Sequence, residues 1–246
     1  MKIVIIIPTY NEAESIGDLI DEIQKETGRI IGHNFKILVV DANSPDKTGD
    51  KVKELQKFFN NLELVVEPKR RGLGAAYIFG MLHAIEKLSA EAIMEFDGDF
   101  QHDPREIKNL VSKLDEGFDY IIGSRYIHGG EIPEEWSWYR KTLSKYGSLF
   151  IKKVLGLETM DNTSGFKLSR VRNLAEKLPL KEEDILSLFH AYKIHLLYEM
   201  TKLGAKTAEV PIKFLERKNG SSKNTFRDIF ESLKVVFILK FRSIFQ

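Results

Sequence analysis

Five strand-like runs, separated by four stretches of helical periodicity, restrict this 246-residue chain more than any other feature. The runs are Lys2–Ile7, Phe35–Val40, Leu62–Val66, Ala92–Met94 and Asp119–Ile122. The first is apolar on both faces, as buried parallel strands are. The segments between predict helices from Asn11 to about Thr27, over Lys47–Asn60, from Gly74 to about Ser89 and over Pro104–Glu116. Asn11 with Glu14, and Asp103 with Pro104 and Glu106, read as helix starts. Such alternation argues an α/β fold with a parallel sheet covered by helices on both sides. Ligands in open α/β sheets bind beyond the carboxyl ends of the strands. That edge collects Tyr10, Asp41, Asp97 and Asp99.

Asp97-Gly98-Asp99 is the stretch with the most chemistry. Its carboxylates are two residues apart, so on extended backbone they face the same way. Two hard oxygen ligands with room left over suit Mg²⁺ or Mn²⁺, which keep water and accept diphosphate oxygens. A calcium loop of the EF-hand type also begins D-x-D, but it needs Gly at position six and Glu at position twelve. Those places hold His102 and Lys108, which excludes it. The plain alternative is an Asp-rich turn between strand and helix. No G-x-G-x-x-G follows the first strand and no phosphate-binding P-loop motif occurs, so those nucleotide sites are not expected.

The second half changes pattern. Gly129-Gly130 opens a loop carrying Trp136 and Trp138. A helix over Tyr139–Leu155 follows, then a strand at Gly165–Ser169, a helix over Ile185–Leu203, a strand over Thr207–Leu215 and a last helix over Thr225–Phe245. The first and last of these helices are basic and amphipathic. Tyr139, Leu143, Tyr146, Phe150 and Val154 share a face of one; Phe226, Ile229, Phe230, Leu233, Phe237, Phe241 and Ile244 line the other. Basic helices with aromatics fit a membrane interface, while an ordinary surface helix would turn the same residues onto the core. His83, His190 and His195 are expected within helices, as structural residues.

Net charge is +1, so no global field calls for nucleic acid. The absence of cysteine excludes disulfides, thiolate metal sites and cysteine nucleophiles. The N-terminal apolar stretch is too short for a signal peptide. No run of about 18 uncharged apolar residues predicts a membrane span.

Several motifs occur in sequence order: Pro8-Thr9-Tyr10-Asn11-Glu12, Asp41-x-Asn43-Ser44-Pro45-Asp46, Gly72-Leu73-Gly74, Asp97-x-Asp99-x-Gln101-His102, Gly123-Ser124-Arg125-Tyr126, Thr163-Ser164-Gly165-Phe166 and Glu209-Val210-Pro211-Ile212. With these the chain resembles the inverting family 2 glycosyltransferases of GT-A fold, a Rossmann-like, mixed, mostly parallel sheet flanked by helices. Within them it looks like the dolichol-phosphate mannose synthase, or polyprenyl-phosphate mannosyltransferase, branch. The similarity covers about Lys2 to Lys223. It implies a catalytic domain over 1–223 and a C-terminal interface helix over 224–246.

The resemblance also implies roles. Pro8, Tyr10, Glu12 and Asp41 would hold the donor nucleotide. Asp97, Asp99 and Gln101 would bind Mg²⁺ or Mn²⁺ on the donor diphosphate. Arg125, Arg140, Ser144 and Arg217 match acceptor-phosphate positions, which suits guanidinium chemistry. The implied donor is GDP-mannose, with UDP-glucose or UDP-N-acetylglucosamine as alternatives. Ala42 stands where relatives often carry an acidic residue, which weakens the guanine assignment. The implied acceptor is dolichyl or polyprenyl phosphate, at the cytoplasmic face of a membrane, with the protein peripheral and a membrane subunit a possible partner. Lys69, Arg70 and Arg71 read as solvated, and Asp161 as either an acceptor-orienting or a loop-ordering residue. A non-catalytic nucleotide-sugar-binding module is the alternative of another class; three arginines placed for an acceptor argue against it.

Overall fold

The computed structural model describes residues 1–216 and 226–244. Seven strands form one sheet in the order β3-β2-β1-β4-β6-β5-β7. They are β1 (Lys2–Thr9), β2 (Asn34–Asp41), β3 (Leu62–Val66), β4 (Ala92–Glu95), β5 (Tyr120–Ser124), β6 (Lys167–Arg170) and β7 (Thr207–Pro211). The helices are α1 (Ile16–Thr27), α2 (Thr48–Leu55), α3 (Leu73–Glu86), α4 (Ile107–Asp115), α5 (Trp138–Leu155), α6 (Tyr192–Lys202) and α7 (Phe226–Ile244).

Alternate residues of β1 explain its apolar run. Val4 and Ile6 join a core with α3, α6 and α7, while Ile3, Ile5 and Ile7 join a core with α1 and α4. All five are fully buried, each worth about 1.5–3 kcal/mol of transfer free energy. The sheet is therefore covered on both faces, as expected.

β6 makes the sheet mixed, mostly parallel, as the resemblance implies. It lies antiparallel between β4 and β5. The chain leaves β5 at the ligand edge, builds α5 beyond it, and re-enters the sheet from that edge, so β6 must run the other way.

Other boundaries shift for local reasons. Asn11 adopts a left-handed conformation and its N–H donates to Ser44 Oγ, so α1 begins only at Ile16 and the Asn11–Glu14 capping box does not form. Asp103 does cap, accepting from Arg105 N at 2.9 Å, with Pro104 opening a 3₁₀ turn; Glu106 bonds Asn109 instead of closing a box. The helix expected over Ile185–Leu203 is helical only as α6. Leu188 gives its carbonyl to Ala75 N and packs against Gly72 and Gly74, where a Cβ would collide with it. His190 thus precedes α6, whereas His83 and His195 lie in helices.

The aromatic stripes of α5 and α7 face outward. Tyr139 is 56% exposed, Tyr146 64%, Phe230 72% and Phe241 64%, and Phe150 meets Phe237 across the two helices at 6.3 Å. The core contacts of α7 are Val235, Val236 and Leu239, a different face from the stripe. No helix among the described residues is long and apolar enough to cross a membrane.

Candidate active site

The carboxyl ends of β1, β2 and β4 meet at one edge. Pairing of Thr9 with Asp41 and of Ile6 with Glu95 aligns them. Of six non-glycine residues with positive φ among those described, four lie in the loops beyond these ends: Asn11, Asn43, Lys47 and Phe100. Left-handed backbone is costly for such residues, and it concentrates at functional edges.

The nucleotide-side residues come together there. Asp41 is 3% exposed and accepts from Thr9 Oγ1 at 3.0 Å and from Ser44 N at 2.9 Å, so its carboxylate organises the wall of the edge. Glu12 accepts from Ser15 Oγ at 3.2 Å and its N–H donates to Thr48 Oγ1. Pro8 is buried, and its carbonyl lies against Gly98, where a Cβ would sit 3.0 Å away. Tyr10 carries the Arg70 guanidinium over its ring at 3.9 Å. Arg71 pairs with Glu67 at 2.6 Å and with Glu182. Of the three basic residues read as solvated, Lys69 and Arg70 are exposed, but Arg71 is engaged.

The two central aspartates differ. Asp97 accepts from Tyr77 Oη at 2.7 Å on one oxygen; Lys193 Nζ lies 3.6 Å and His102 Nε2 3.4 Å from the other. Burial alone would raise this carboxyl, but the Lys193 ammonium and His102 outweigh it and hold it well below the usual range. Asp99 accepts from Gln101 N at 3.1 Å. The Gln101 side-chain N–H donates to Leu215 O, leaving its amide oxygen as the atom suited to a cation. Asp97, Asp99 and Gln101 thus offer hard oxygen donors of the kind Mg²⁺ and Mn²⁺ take. No group of three or more His or carboxylate ligands exists among the described residues, so the donor set fits an ion that shares oxygens with a bound ligand.

Beyond the carboxyl end of β5 stand two guanidinium groups. Arg125 donates to Asp161 through Nε and Nη2, both at 2.7 Å, and to Thr163 Oγ1 at 2.9 Å. Burial would lower the arginine's pKa, yet the Asp161 pair raises it beyond the ordinary value. Arg140 lies over Trp136 at 3.8 Å. Burial and the field of Arg125 lower its pKa, so the two guanidiniums share a region. Phe214 joins them, 5.8 Å from Trp136 and 5.2 Å from Arg125. Ser144 Oγ bonds Tyr126 Oη. Asp161 orders the loop: besides its Arg125 pair, it receives the Arg125 N–H at 3.0 Å, and its own N–H donates to Glu209 at 2.9 Å. Arg217 lies outside the described residues.

Sequence reading missed Tyr77, Tyr192 and Lys193. Tyr192 stacks on Tyr77 at 5.4 Å and donates to Glu95 at 2.6 Å. None carries a local motif; only the fold brings α3 and α6 under the aspartates.

Residues 4–176 match the model of Glycosyl transferase family 2. The chain is 33% identical to polyprenol monophosphomannose synthase of Mycolicibacterium smegmatis, over 94% of this chain and 84% of that one. It is 33% identical to dolichol-phosphate mannosyltransferase of Pyrococcus furiosus over 97% of this chain, spanning 64% of that relative. Undecaprenyl-phosphate mannosyltransferase of Micrococcus luteus is 32% identical over 91% of this chain and 87% of its own. Among solved structures, glucosyl-3-phosphoglycerate synthase of Mycobacterium tuberculosis superposes with a TM-score of 0.65 at 19% identity, covering 97% of this chain and 78% of that one. Mannosyl-3-phosphoglycerate synthase of Rubrobacter xylanophilus does so with a TM-score of 0.66 at 18% identity, covering 99% and 74%. These likenesses carry the GT-A fold. The matched family model over most of the chain, with these relatives, makes this chain a glycosyltransferase belonging to Glycosyl transferase family 2.

Proposed function

We propose that the protein transfers a mannosyl group from a nucleoside diphosphate sugar, GDP-mannose favoured, to the phosphate of a polyprenol, with inversion, at the cytoplasmic surface of a membrane. The observation that carries this reading is the Arg140 guanidinium over Trp136, in the field of Arg125, at the start of α5, whose aromatic stripe is exposed. The names of three relatives, each a synthase or transferase of mannosyl groups on polyprenyl phosphates, support it.

The chemistry asks little of a general base. The nucleophile is a phosphate monoester with a second pKa of about 6, mostly ionised at neutral pH. Its oxygen forms the new bond to the anomeric carbon as the bond to the donor diphosphate breaks, with inversion. The arginines hold that anion in line against its repulsion from the diphosphate. Asp97, Asp99 and Gln101 would hold Mg²⁺ or Mn²⁺; when bound, such an ion neutralises charge on the departing diphosphate. Mn²⁺ accompanies UDP-glucose in one structure of the Mycobacterium tuberculosis neighbour, which supports a divalent ion here. Pro8, Tyr10, Glu12 and Asp41 would form the nucleotide wall, and Ser144 and Arg217 would join the acceptor side.

The stripes would lie in the lipid interface, so that the acceptor keeps its tail in the bilayer. A membrane subunit as further partner is compatible with the same face. The test is a panel of GDP-mannose, UDP-glucose and UDP-N-acetylglucosamine against a short polyprenyl phosphate with Mg²⁺ or Mn²⁺. Mannosyl-phosphoprenol from GDP-mannose is expected; transfer only to soluble acceptors would refute the reading.

A further inference from the structure

We propose that Lys193 is a built-in cation of the donor edge. It holds the inner carboxylate, Asp97, in the free protein, so that a divalent ion is bound firmly only together with the donor's diphosphate. This rests on the proposed reading of Asp97 and Asp99 as the diphosphate side of the site.

Lys193 stands on the first turn of α6, 7% exposed in its side chain, with Nζ 3.6 Å from Asp97 Oδ2. A buried ammonium needs a carboxylate partner, and Asp97 is the one in reach. Tyr77 fixes the other oxygen at 2.7 Å. The pair has also shaped the chain around it. A Cβ at Gly165 would fall 2.5 Å from both Asp97 Oδ2 and Lys193 Nζ. Gly165 has no positive φ, so its missing side chain is a matter of space: the Thr163–Phe166 loop passes over the ion pair itself. Lys193 also roots in the core, its carbonyl accepting from Lys167 Nζ at 3.2 Å. The Lys193 ammonium reduces the negative charge that Asp97 presents to an incoming ion. No third His or carboxylate ligand exists among the described residues to make up the difference. A diphosphate supplies both the missing oxygens and the missing charge.

Mn²⁺ binding to the whole protein, followed by loss of the free-ion electron paramagnetic resonance signal, tests this without turnover. Wild type, Lys193→Met and Lys193→Arg are titrated alone, with GDP and with UDP. Wild type and Lys193→Arg are expected to bind Mn²⁺ at least about tenfold more weakly without nucleotide than with the better one, and Lys193→Met to tighten nucleotide-free binding by about tenfold, the scale of one unit charge near a divalent ion. Lys193→Gln replaces Lys193→Met if the latter melts at the assay temperature. Nucleotide-free affinity equal in wild type and the neutral variant overturns the role of Lys193 alone. Tight nucleotide-free binding by wild type does the same without any variant. Absence of Mn²⁺ binding in every arm overturns the metal reading and this inference with it.

Discussion

Replacing Asp161 with asparagine keeps the outline of the side chain and removes its charge. In the fold Asp161 is fully buried and Arg125 has 9% of its side chain exposed. Their bidentate pair runs through two contacts of 2.7 Å. Removing one member of such a pair leaves an uncompensated buried charge, a loss of about 3–5 kcal/mol. For a chain of this size each kcal/mol moves the melting temperature by about 2–4 °C, so Asp161→Asn should melt about 6–20 °C lower. The effect should depend on pH with a definite sign. Burial raises the Asp161 carboxyl, but pairing with Arg125 prevails and lowers it. A carboxyl lowered on folding stabilises above its unfolded pKa, about 3.9, and that contribution disappears as pH falls through the folded value. The gap between wild type and variant should therefore be full at neutral pH and begin to close as the pH falls below about 4. Thermal unfolding by circular dichroism across pH 3–7 reads both features. A variant melting within 2 °C of wild type at pH 7, or a gap that widens in acid, would refute the pairing argument.

Three further outcomes follow from the same structure. Asp99→Asn should lower metal-dependent transfer by about 10²-fold or more while leaving the melting curve in place; wild-type turnover would remove the metal role from that residue. Phe230→Asp with Phe241→Asp, both on the exposed stripe of α7, should abolish flotation with anionic liposomes at a cost of about 1 kcal/mol or less in stability, and continued flotation would show that the stripe does not dock. His195, whose pKa burial lowers to about 4, binds its proton more weakly folded than unfolded. Stability should fall as pH drops from about 6.5 toward 4, and His195→Leu should flatten that slope; an unchanged slope would place the titration elsewhere.

The ligand edge was legible because its signals are local. An apolar run ending in a Pro, Asp or Gly turn marks a strand end wherever it lies, so the sequence alone puts Tyr10, Asp41, Asp97 and Asp99 on one rim. Periodicity by itself leaves open which way the α7 stripe turns. Phe230, Phe237 and Phe241 have the spacing of a core face, and the periodicity is the same whether that face meets protein or lipid. Arg71 has one partner, Glu67, only four residues before it, but the burial of Glu67 and the second partner, Glu182, depend on the fold.

Strand positions, helix positions, the carboxylate pair and the ordered motifs follow from the sequence, because they depend on neighbours a few residues away. The antiparallel β6, the Arg125–Asp161 lock and the Lys193–Asp97 pair were decided by the tertiary structure. Each depends on residues far apart in the chain that meet only when the sheet closes. Their energies come from burial and charge compensation, which a sequence pattern does not carry until the contacts exist.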